Sequence, residues 1–201
     1  MLIRYFGHSH FYIECDGYSI VLDPFSEIGL KEFKTESDYV FCSHGHYDHN
    51  NFSLAVGAKL VKNSNNFEII SSFHDEKGGA LRGINNVLLF NLDGVKAAFL
   101  GDLGVYDDDA LIKKLYGVDI LFIPIGGKYT IDANGALNYV KKIKPKTVIP
   151  MHYFIKGSTV DIKPIESFTS LIEGFKTVKS PYRYDGESGV VVIHSEQGES
   201  V

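Results

Sequence analysis

Alternation of apolar and polar residues dominates the first part of the chain. Residues 2–6, 11–15 and 18–22 each have the two-residue period of a half-buried β-strand. Asp16 and Gly17 separate the second run from the third, and this dipeptide is a strong signal for a two-residue hairpin. Asp23 and Pro24 then end the third run, because proline cannot continue a ladder of hydrogen bonds.

Short apolar runs and stretches with helical periodicity follow one another through the rest of the chain. The predicted strands cover residues 39–42, 60–61, 68–71, 87–91, 95–100, 120–124, 147–150 and 190–193. The dipeptide of Asp93 and Gly94 predicts a second hairpin. Helices are predicted at 107–115, at 131–143 with Thr130 as the cap, and at 165–173, with shorter ones within 25–38 and from Asn51 to residue 56.

This order of elements predicts a single α/β (α+β) domain over residues 1–201. Each half of the chain has strands and hairpins first and a helix later, so each half is expected to form one sheet with helices outside. Two such sheets packed face to face give a four-layer α/β/β/α sandwich.

Composition narrows the classes of function. The chain has 20 Lys and Arg against 25 Asp and Glu, a net charge of −5, which lacks the positive footprint of a nucleic-acid binder. No window approaches about 18 consecutive apolar residues, and the first ten residues do not resemble a signal peptide, so we expect a cytoplasmic protein without a membrane span. Cys15 and Cys42 are too few for a disulfide framework and are expected to be buried reduced thiols.

The strongest chemical signal is a hexapeptide directly after a predicted strand, with the spacing H-x-H-x-D-H from residue 44 to residue 49. His44 and His46 are two apart and can point the same way, so both can bind one metal ion. Gly45 allows a tight turn between them. Asp48 and His49 then turn away and can meet a second ion. Imidazole and carboxylate ligands suit Zn²⁺, Fe²⁺ or Mn²⁺.

With this motif the chain resembles the metallo-β-lactamase fold superfamily. The resemblance extends over nearly the whole chain. The segments at 7–11 and 21–25 are similar to the start of its small stand-alone metal-dependent hydrolases, the group that resembles the ascorbate-6-phosphate lactonases. Later segments match further motifs of the group in the same order, at residues 73–76, 82–85, 101–104, 124–127 and 150–153.

The resemblance implies a complete set of ligands for two divalent ions, zinc being expected and manganese or iron remaining open. It assigns His44, His46 and His74 to the first ion, Asp48, His49 and His152 to the second, and Asp102 to a position bridging both. It implies that Asp23 receives a proton from a ligand histidine and fixes its tautomer. Hydroxide bridging the ions would be the nucleophile, and Asp48, Asp102 and His152 are the residues expected to take part in catalysis.

Other residues are expected around the ions, in contact with ligands or with substrate: His8, Arg82, Asn85, Lys128, Tyr129 and Tyr153. The cationic side chains of Arg82, Lys128 and Lys156, together with Gly126 and Gly127 before a predicted helix, favour a small anionic substrate. The two tyrosines could donate hydrogen bonds to a developing oxyanion.

The function predicted from these residues is hydrolysis of an ester or lactone bond in a small molecule. Phosphodiester cleavage, as in a nuclease of the same fold, is an alternative, although the acidic balance of the chain makes nucleic acid an unfavourable partner. A metal-binding module without catalysis is a second alternative. Diiron redox chemistry is disfavoured, because His46 stands where the flavoprotein relatives have glutamate. A homo-oligomer remains open.

Overall fold

Two β-sheets stacked face to face form the centre of the molecule. The computed structural model describes residues 1–15 and 17–198. Rings from the two sheets meet between them, where Phe11 lies 5.0 Å from Phe122 and 6.4 Å from Phe99, measured between ring centroids. The strands are β1 (Leu2–Gly7), β2 (His10–Cys15), β3 (Tyr18–Leu22), β4 (Thr35–Glu36), β5 (Tyr39–Phe41), β6 (Ala55–Val56), β7 (Lys59–Leu60), β8 (Phe67–Phe73), β9 (Ile84–Leu92), β10 (Val95–Phe99), β11 (Ile120–Pro124), β12 (Thr147–Met151), β13 (Lys176–Lys179), β14 (Tyr182–Arg183) and β15 (Gly189–His194).

The first sheet has the strand order β14-β1-β2-β3-β5-β7. The three strands predicted from alternation, β1 to β3, are antiparallel neighbours, and β5 and β7 extend the sheet in parallel. Cys15 pairs with Tyr18 where β2 meets β3. Asp16 of the predicted hairpin turn lies outside the described residues. The short strand β14 pairs with β1 through Ile3 and Tyr182, so a segment near the end of the chain completes this sheet.

The second sheet has the strand order β13-β15-β12-β11-β10-β9-β8. β8, β9 and β10 are antiparallel, whereas β10, β11, β12, β15 and β13 are parallel. Asp93 and Gly94 join β9 to β10 with φ angles of 53° and 74°. Positive φ at both central residues is the requirement of a type I′ turn, so the second predicted hairpin is confirmed.

The helices pack on the second sheet. They are α1 (Asp109–Leu115), α2 (Ala133–Ile143) and α3 (Glu166–Thr169). All five residues of β11 are buried, because one face meets the first sheet and the other meets α2, which contacts both other helices. α2 contributes Ala136, Tyr139 and Ile143 to the core.

The outer face of the first sheet packs against a short two-stranded ribbon, whereas the second sheet packs against the helices. Val21 and Val40 cluster there with Ala55, which belongs to a two-stranded ribbon of β4 and β6. A 3₁₀ turn at Phe52–Leu54 precedes this ribbon. The mixed α/β class and the stacked sheets are therefore as predicted, with the long helices on one side.

Helix boundaries differ from the prediction in two places. α2 begins after Asp132, whose carboxylate accepts a hydrogen bond from the amide of Gly135 at 2.9 Å, so Thr130 is not the cap. The Thr130 hydroxyl instead donates to the carbonyl of Ile131. The helix predicted at 165–173 is limited to α3, since serine and glycine follow at 170 and 174 and favour helix poorly.

The two shorter predicted helices are also wrong. Residues 25–38 contain no helix, because their backbone groups pair with distant loops, as in the hydrogen bond from Ser26 N to the Tyr47 carbonyl. The segment after Asn51 forms the 3₁₀ turn and then β6. The Asn51 side chain caps no backbone amide and accepts a hydrogen bond from the Ser53 hydroxyl at 2.6 Å.

Two further sequence-based expectations concern the thiols and the membrane. Both cysteines are free; Cys15 is buried and Cys42 is half-buried. None of the helices formed by the described residues combines the length and hydropathy needed to cross a bilayer.

His10 is a buried histidine inside an aromatic cluster. Its ring centroid lies 4.6 Å from that of Phe6 and 5.5 Å from that of Phe25. Neither ring nitrogen has a hydrogen-bond partner among the described residues, and burial lowers the pKa of His10 to about 3. The folded state therefore holds this ring neutral at pH values where an exposed histidine is charged.

We expect His10 to make the protein less stable in mild acid. The unfolded chain gains a proton at this residue below about pH 6.5, while the folded chain does not, so folded-state stability falls as the pH drops from about 6.5 toward 3. From pH 7.5 to pH 5 this single group lowers the free energy of unfolding by about 2 kcal/mol. Urea unfolding in the presence of a chelator checks this with His10→Leu, which removes the contribution. Equal declines in the wild type and the variant contradict it.

Candidate metal centre

The predicted metal ligands follow strands that end at one edge of the molecule. His74 follows β8, Asp102 follows β10 and His152 follows β12, and these three strands run in the same direction. The hexapeptide from residue 44 to residue 49 follows β5 of the first sheet. Loops after the carboxyl ends of strands are where α/β sheets place their ligand sites. The fold thus collects histidine and aspartate from distant segments.

Three histidines form the first group. His44, His46 and His74 each place one ring nitrogen within 4.8 Å of the others. The centroid of the His44 ring lies 4.6 Å from the centroids of both His46 and His74. His44 and His74 are buried, whereas His46 is exposed, so the group opens to solvent on one side.

The second group contains Asp48, His49 and His152, and the structure adds His8 to it. His49 Nε2 lies 3.6 Å from Asp48 Oδ2. His8 Nε2 lies 3.3 Å from the same oxygen. His8 was predicted to lie near the ligands or the substrate, and its nitrogen lies among the predicted ligand atoms themselves.

Asp102 connects the two groups. Its Oδ2 atom lies 3.2 Å from His49 Nε2, 3.3 Å from His74 Nε2 and 3.2 Å from His152 Nε2. The carboxylate is buried, and its second oxygen, Oδ1, has no hydrogen-bond partner among the described residues. One carboxylate is therefore shared by imidazoles of the first and the second group.

The ionisation of these groups suits a divalent cation. Burial lowers the pKa of His44 to about 2 and that of His8 to about 3, so both rings are neutral at pH 7. Burial raises the pKa of Asp102, but His152 and His49 outweigh it and hold this pKa well below its ordinary value. Neutral imidazole and ionised carboxylate are the forms that bind metal.

Buried polar atoms that lack hydrogen-bond partners show whether these residues fit a metal ion. His44 Nε2 and Asp102 Oδ1 lack a hydrogen-bond partner within residues 1–15 and 17–198. Buried polar atoms without partners are costly, and a cation bound by imidazole and carboxylate removes that cost. The residues therefore fit divalent ions that accept nitrogen and oxygen ligands.

Asp23 orients His49. Its Oδ2 atom lies 2.7 Å from His49 Nδ1, and the amide and hydroxyl of Ser43 donate to its two oxygens at 2.6 Å. Burial lowers the pKa of His49, but Asp102 and Asp23 outweigh it and raise this pKa well above its ordinary value. With the Nδ1 proton directed at Asp23, the Nε2 atom of His49 faces the ligand cluster.

Asn85 supports Asp102 rather than reaching toward the cleft. Its side-chain oxygen accepts a hydrogen bond from the Asp102 amide at 2.8 Å, and its NH₂ group donates to the Leu100 carbonyl. Gly101, with a φ of +52°, packs against Ser43 and this asparagine so closely that a Cβ atom would lie 2.4 Å from the Ser43 Cβ. The loop that carries Asp102 is thus fixed by close packing and two hydrogen bonds.

A cleft of about 300 Å³ opens beside His74. Arg82 and Lys128 lie at this cleft with their cationic groups 5.7 Å and 5.4 Å from the centroid of the Tyr129 ring. The Arg82 guanidinium also donates to the Lys128 carbonyl at 3.1 Å, and the Lys128 ammonium pairs with Asp161. The structure therefore groups Arg82, Lys128 and Tyr129 as a cationic wall next to the first group of histidines.

Sequence reasoning did not identify the role of Asp75. Its carboxylate accepts hydrogen bonds from four backbone amides, those of Lys77, Gly79, Leu81 and Arg82, at 2.7 to 3.1 Å. The signal in the sequence was the position of Asp75 before a glycine-rich loop, because such loops expose several backbone amides that need an acceptor. Asp75 folds this loop back and so positions Arg82 at the cleft.

The structure corrects the expectation that Tyr153 contacts the substrate. Its ring is buried in the core, 6.1 Å from the ring of Tyr5, and its hydroxyl donates to the Ile193 carbonyl at 3.4 Å. β12 ends at Met151 and His152 has a φ of +53°, so the chain turns here, with His152 at the cluster and Tyr153 in the core. Tyr153 is therefore not available to bind a substrate.

A two-sheet sandwich with clustered histidine and aspartate ligands at its strand ends defines a class of metal-dependent hydrolases. A family model described as a beta-lactamase superfamily domain matches residues 2–152. The chain is 31% identical to a UPF0173 metal-dependent hydrolase of Staphylothermus marinus, over 93% of this chain and 97% of that one. The chain belongs to the metallo-β-lactamase superfamily and is a metal-dependent hydrolase, as the hexapeptide and the later motifs predicted.

Solved structures agree with this assignment. A crystal structure from Thermotoga maritima, assigned to the Zn-dependent hydrolases of the metallo-beta-lactamase superfamily, superposes with a TM-score of 0.80 at 27% identity, covering 97% of this chain and 99% of that one. Igni18, a metallo hydrolase of Ignicoccus hospitalis, gives a TM-score of 0.62 at 25% identity over 76% and 82% of the two chains.

Proposed function

We propose that this hydrolase holds two divalent cations and cleaves an ester or lactone bond in a small anionic substrate. One observation carries the proposal: Asp102 Oδ2 lies 3.2 to 3.3 Å from imidazole nitrogens of both groups of histidines. A carboxylate shared in this way supports two adjacent cation sites. The first cation site consists of His44, His46, His74 and Asp102, and the second cation site of Asp48, His49, His152 and Asp102.

Zinc is the cation that we propose, because imidazole and carboxylate are its usual protein ligands besides thiolate. Manganese and iron accept the same donors. A bound pair of such cations supplies a nucleophile from water at neutral pH and polarises the oxygen atoms of the substrate.

Asp48 is proposed to move the proton. It is the most exposed of the second-site ligands, with 17% of its side chain accessible, whereas those of His49 and His152 are fully buried. Burial raises the pKa of Asp48, but the contact with His8 and the charge of His49 outweigh this and hold the pKa low. The carboxylate is therefore ionised at neutral pH. Its exposure, and not its basicity, supports the proposal that it passes a proton from the attacking water to the leaving oxygen.

The substrate class follows from the cleft beside His74. A volume of about 300 Å³ suits a small molecule. Arg82 presents a planar guanidinium whose fork matches a carboxylate or phosphate group. The Asp75 oxygens accept four backbone hydrogen bonds, and among the described residues this carboxylate forms no ion pair with the Arg82 guanidinium. We therefore propose that the acidic group of the substrate binds at Arg82 and Lys128.

Two lactones that differ by one phosphate test the proposal. The zinc-loaded protein is assayed with a lactone carrying a phosphate monoester and with the same lactone lacking it. Arg82→Gln is expected to raise KM for the phosphorylated lactone about tenfold or more, since hydrogen bonds to charged groups contribute about 1.5–3 kcal/mol, and to leave KM for the neutral lactone unchanged. The matched control is Arg183→Gln, on the exposed edge strand β14, which is expected to change neither.

The same assay separates the alternatives. The anion site is contradicted if Arg82→Gln has the same KM as the wild type for the phosphorylated lactone. Preferential cleavage of bis(p-nitrophenyl) phosphate over both lactones favours a phosphodiesterase. Binding of two zinc ions without cleavage of any of these bonds favours a metal-binding module without catalysis.

A further inference from the structure

We infer that His8 is a third imidazole ligand of the second cation site. This inference rests on the cation pair of the proposed function. It adds a residue to which the resemblance assigned no metal ion, in the turn between β1 and β2. The second cation site would then have five protein donors, the imidazoles of His8, His49 and His152 and the carboxylates of Asp48 and Asp102.

The position of the His8 nitrogen is the first argument. His8 Nε2 lies 3.1 Å from His49 Nε2 and 3.3 Å from Asp48 Oδ2. It belongs to a set of four ligand atoms, with those of Asp48, His49 and His152, that lie within 4.8 Å of one another. Ligands about 2.1 Å from one zinc ion are about 3.0 Å apart at right angles and about 3.4 Å apart at the tetrahedral angle. The His8 nitrogen is thus spaced as a member of the coordination shell.

The contact with His49 is the second argument. His49 Nδ1 faces Asp23 at 2.7 Å, which directs a proton to that side, so Nε2 is the atom with which this ring would bind a cation, giving up any proton it carries there. A residue that only oriented Asp48 by a hydrogen bond would need to approach that carboxylate alone. His8 Nε2 lies 3.1 Å from the His49 nitrogen and 3.3 Å from the Asp48 oxygen, so the ring is directed at two predicted ligands of the second cation site and not at Asp48 alone.

The backbone supplies the third argument. His8 has a φ of +55°, a left-handed conformation that residues other than glycine adopt rarely. Its carbonyl accepts hydrogen bonds from the His152 amide at 2.8 Å and from the Tyr5 hydroxyl at 2.9 Å. The strained turn is therefore anchored to the backbone of a predicted ligand, and strain held in this way is typical of functional sites.

With His8 as a ligand, the two cation sites differ in the number of protein donors. The first has three imidazoles and the shared carboxylate, which leaves a zinc ion room for water or substrate by expanding beyond four ligands. The second has five protein donors, a number that suits five or six ligands around the ion rather than tetrahedral geometry. We therefore expect the second cation to be held more completely by protein than the first.

The test measures metal binding and not activity. Wild type, His8→Asn and His8→Gln are titrated with Co²⁺ against a competing chelator, and bound metal is counted by plasma mass spectrometry. Asparagine tolerates the left-handed backbone but cannot supply imidazole. Glutamine keeps the reach for a hydrogen bond to Asp48. We expect both variants to bind the first ion as the wild type does, and to bind the second more than a hundredfold more weakly, with an altered visible spectrum of the bound Co²⁺.

The control is His10→Leu, which removes a buried imidazole two residues away and is expected to leave both affinities unchanged. Two ions bound with wild-type affinity and spectrum in His8→Asn overturn the inference. Recovery of the second ion in His8→Gln overturns it as well, because a hydrogen-bonding role would then suffice. If the wild type itself binds no second ion, the cation pair and therefore the proposed function are refuted. This outcome is distinct from failure of the inference about His8, which is judged from the variants.

Discussion

Asp102→Asn is expected to lose tight binding of both cations and to lower hydrolysis by about a thousandfold or more, the scale of the several kcal/mol that metal ions contribute. The carboxylate is buried, and one of its oxygens lies 3.2 to 3.3 Å from three imidazole nitrogens. Asparagine keeps the shape but removes the charge and replaces one acceptor by an NH₂ group. Cations held by the remaining ligands would then lack the shared anion that stabilises two positive ions side by side.

Metal content and rate are measured on the same preparation of Asp102→Asn. The control is Asp93→Asn, which makes the same change of charge at an exposed turn, where asparagine also tolerates the positive φ of 53°. This control is expected to keep both ions and full activity. An Asp102→Asn protein that retains two ions and more than a tenth of the activity would show that the carboxylate is not shared between the sites.

Gly104→Ala is expected to lower the free energy of unfolding by about 3 kcal/mol, at the upper end of the usual overpacking effects. A Cβ atom at this position would lie 2.3 Å from the carbonyl carbon of His74 and 2.4 Å from the amide nitrogen of Asp75. Both contacts are with backbone, which cannot rotate away as a side chain can. The Gly104 amide also donates to the Phe73 carbonyl at 2.9 Å, so the two loops are held together.

Thermal unfolding and metal binding check this prediction. For a domain of 150–250 residues, 3 kcal/mol corresponds to a decrease in Tm of about 6–12 °C. Because His74 must move, the variant is also expected to bind the first cation more weakly. The matched control is Gly174→Ala, where nothing lies within 4 Å of the added Cβ and φ is not in the left-handed region. A Gly104→Ala protein as stable as this control would contradict the close approach of the two loops.

Local patterns were sufficient for much of the fold. The bounds predicted for β3 and β11 are those of the structure, because each strand is a short apolar run bounded by residues that end it. The hairpin at Asp93 and Gly94 was equally readable, since its turn needs two positive φ angles that these residues tolerate. β14 could not be predicted, because two residues have no period and their pairing with β1 spans most of the chain.

The candidate metal centre also has features that local sequence predicted and features that depend on the fold. The hexapeptide indicated the kind of chemistry, since four predicted ligands lie within six residues. The convergence of His74, Asp102 and His152 depends on the direction of three strands that no local pattern specifies. The contact of Asp75 with four amides, which positions Arg82, depends on how a loop folds back on itself.

The amino-acid sequence by itself determined the alternation that makes strands, the turns between them, and the imidazole and carboxylate groups available for metal. The tertiary structure decided which of these groups meet. It buried Tyr153 in the core although its neighbour His152 faces the histidine and aspartate cluster, and it placed the His8 nitrogen 3.3 Å from an Asp48 oxygen. The reason is physical: side-chain chemistry and strand period are local properties, whereas contact across 40 or more residues depends on how whole sheets pack.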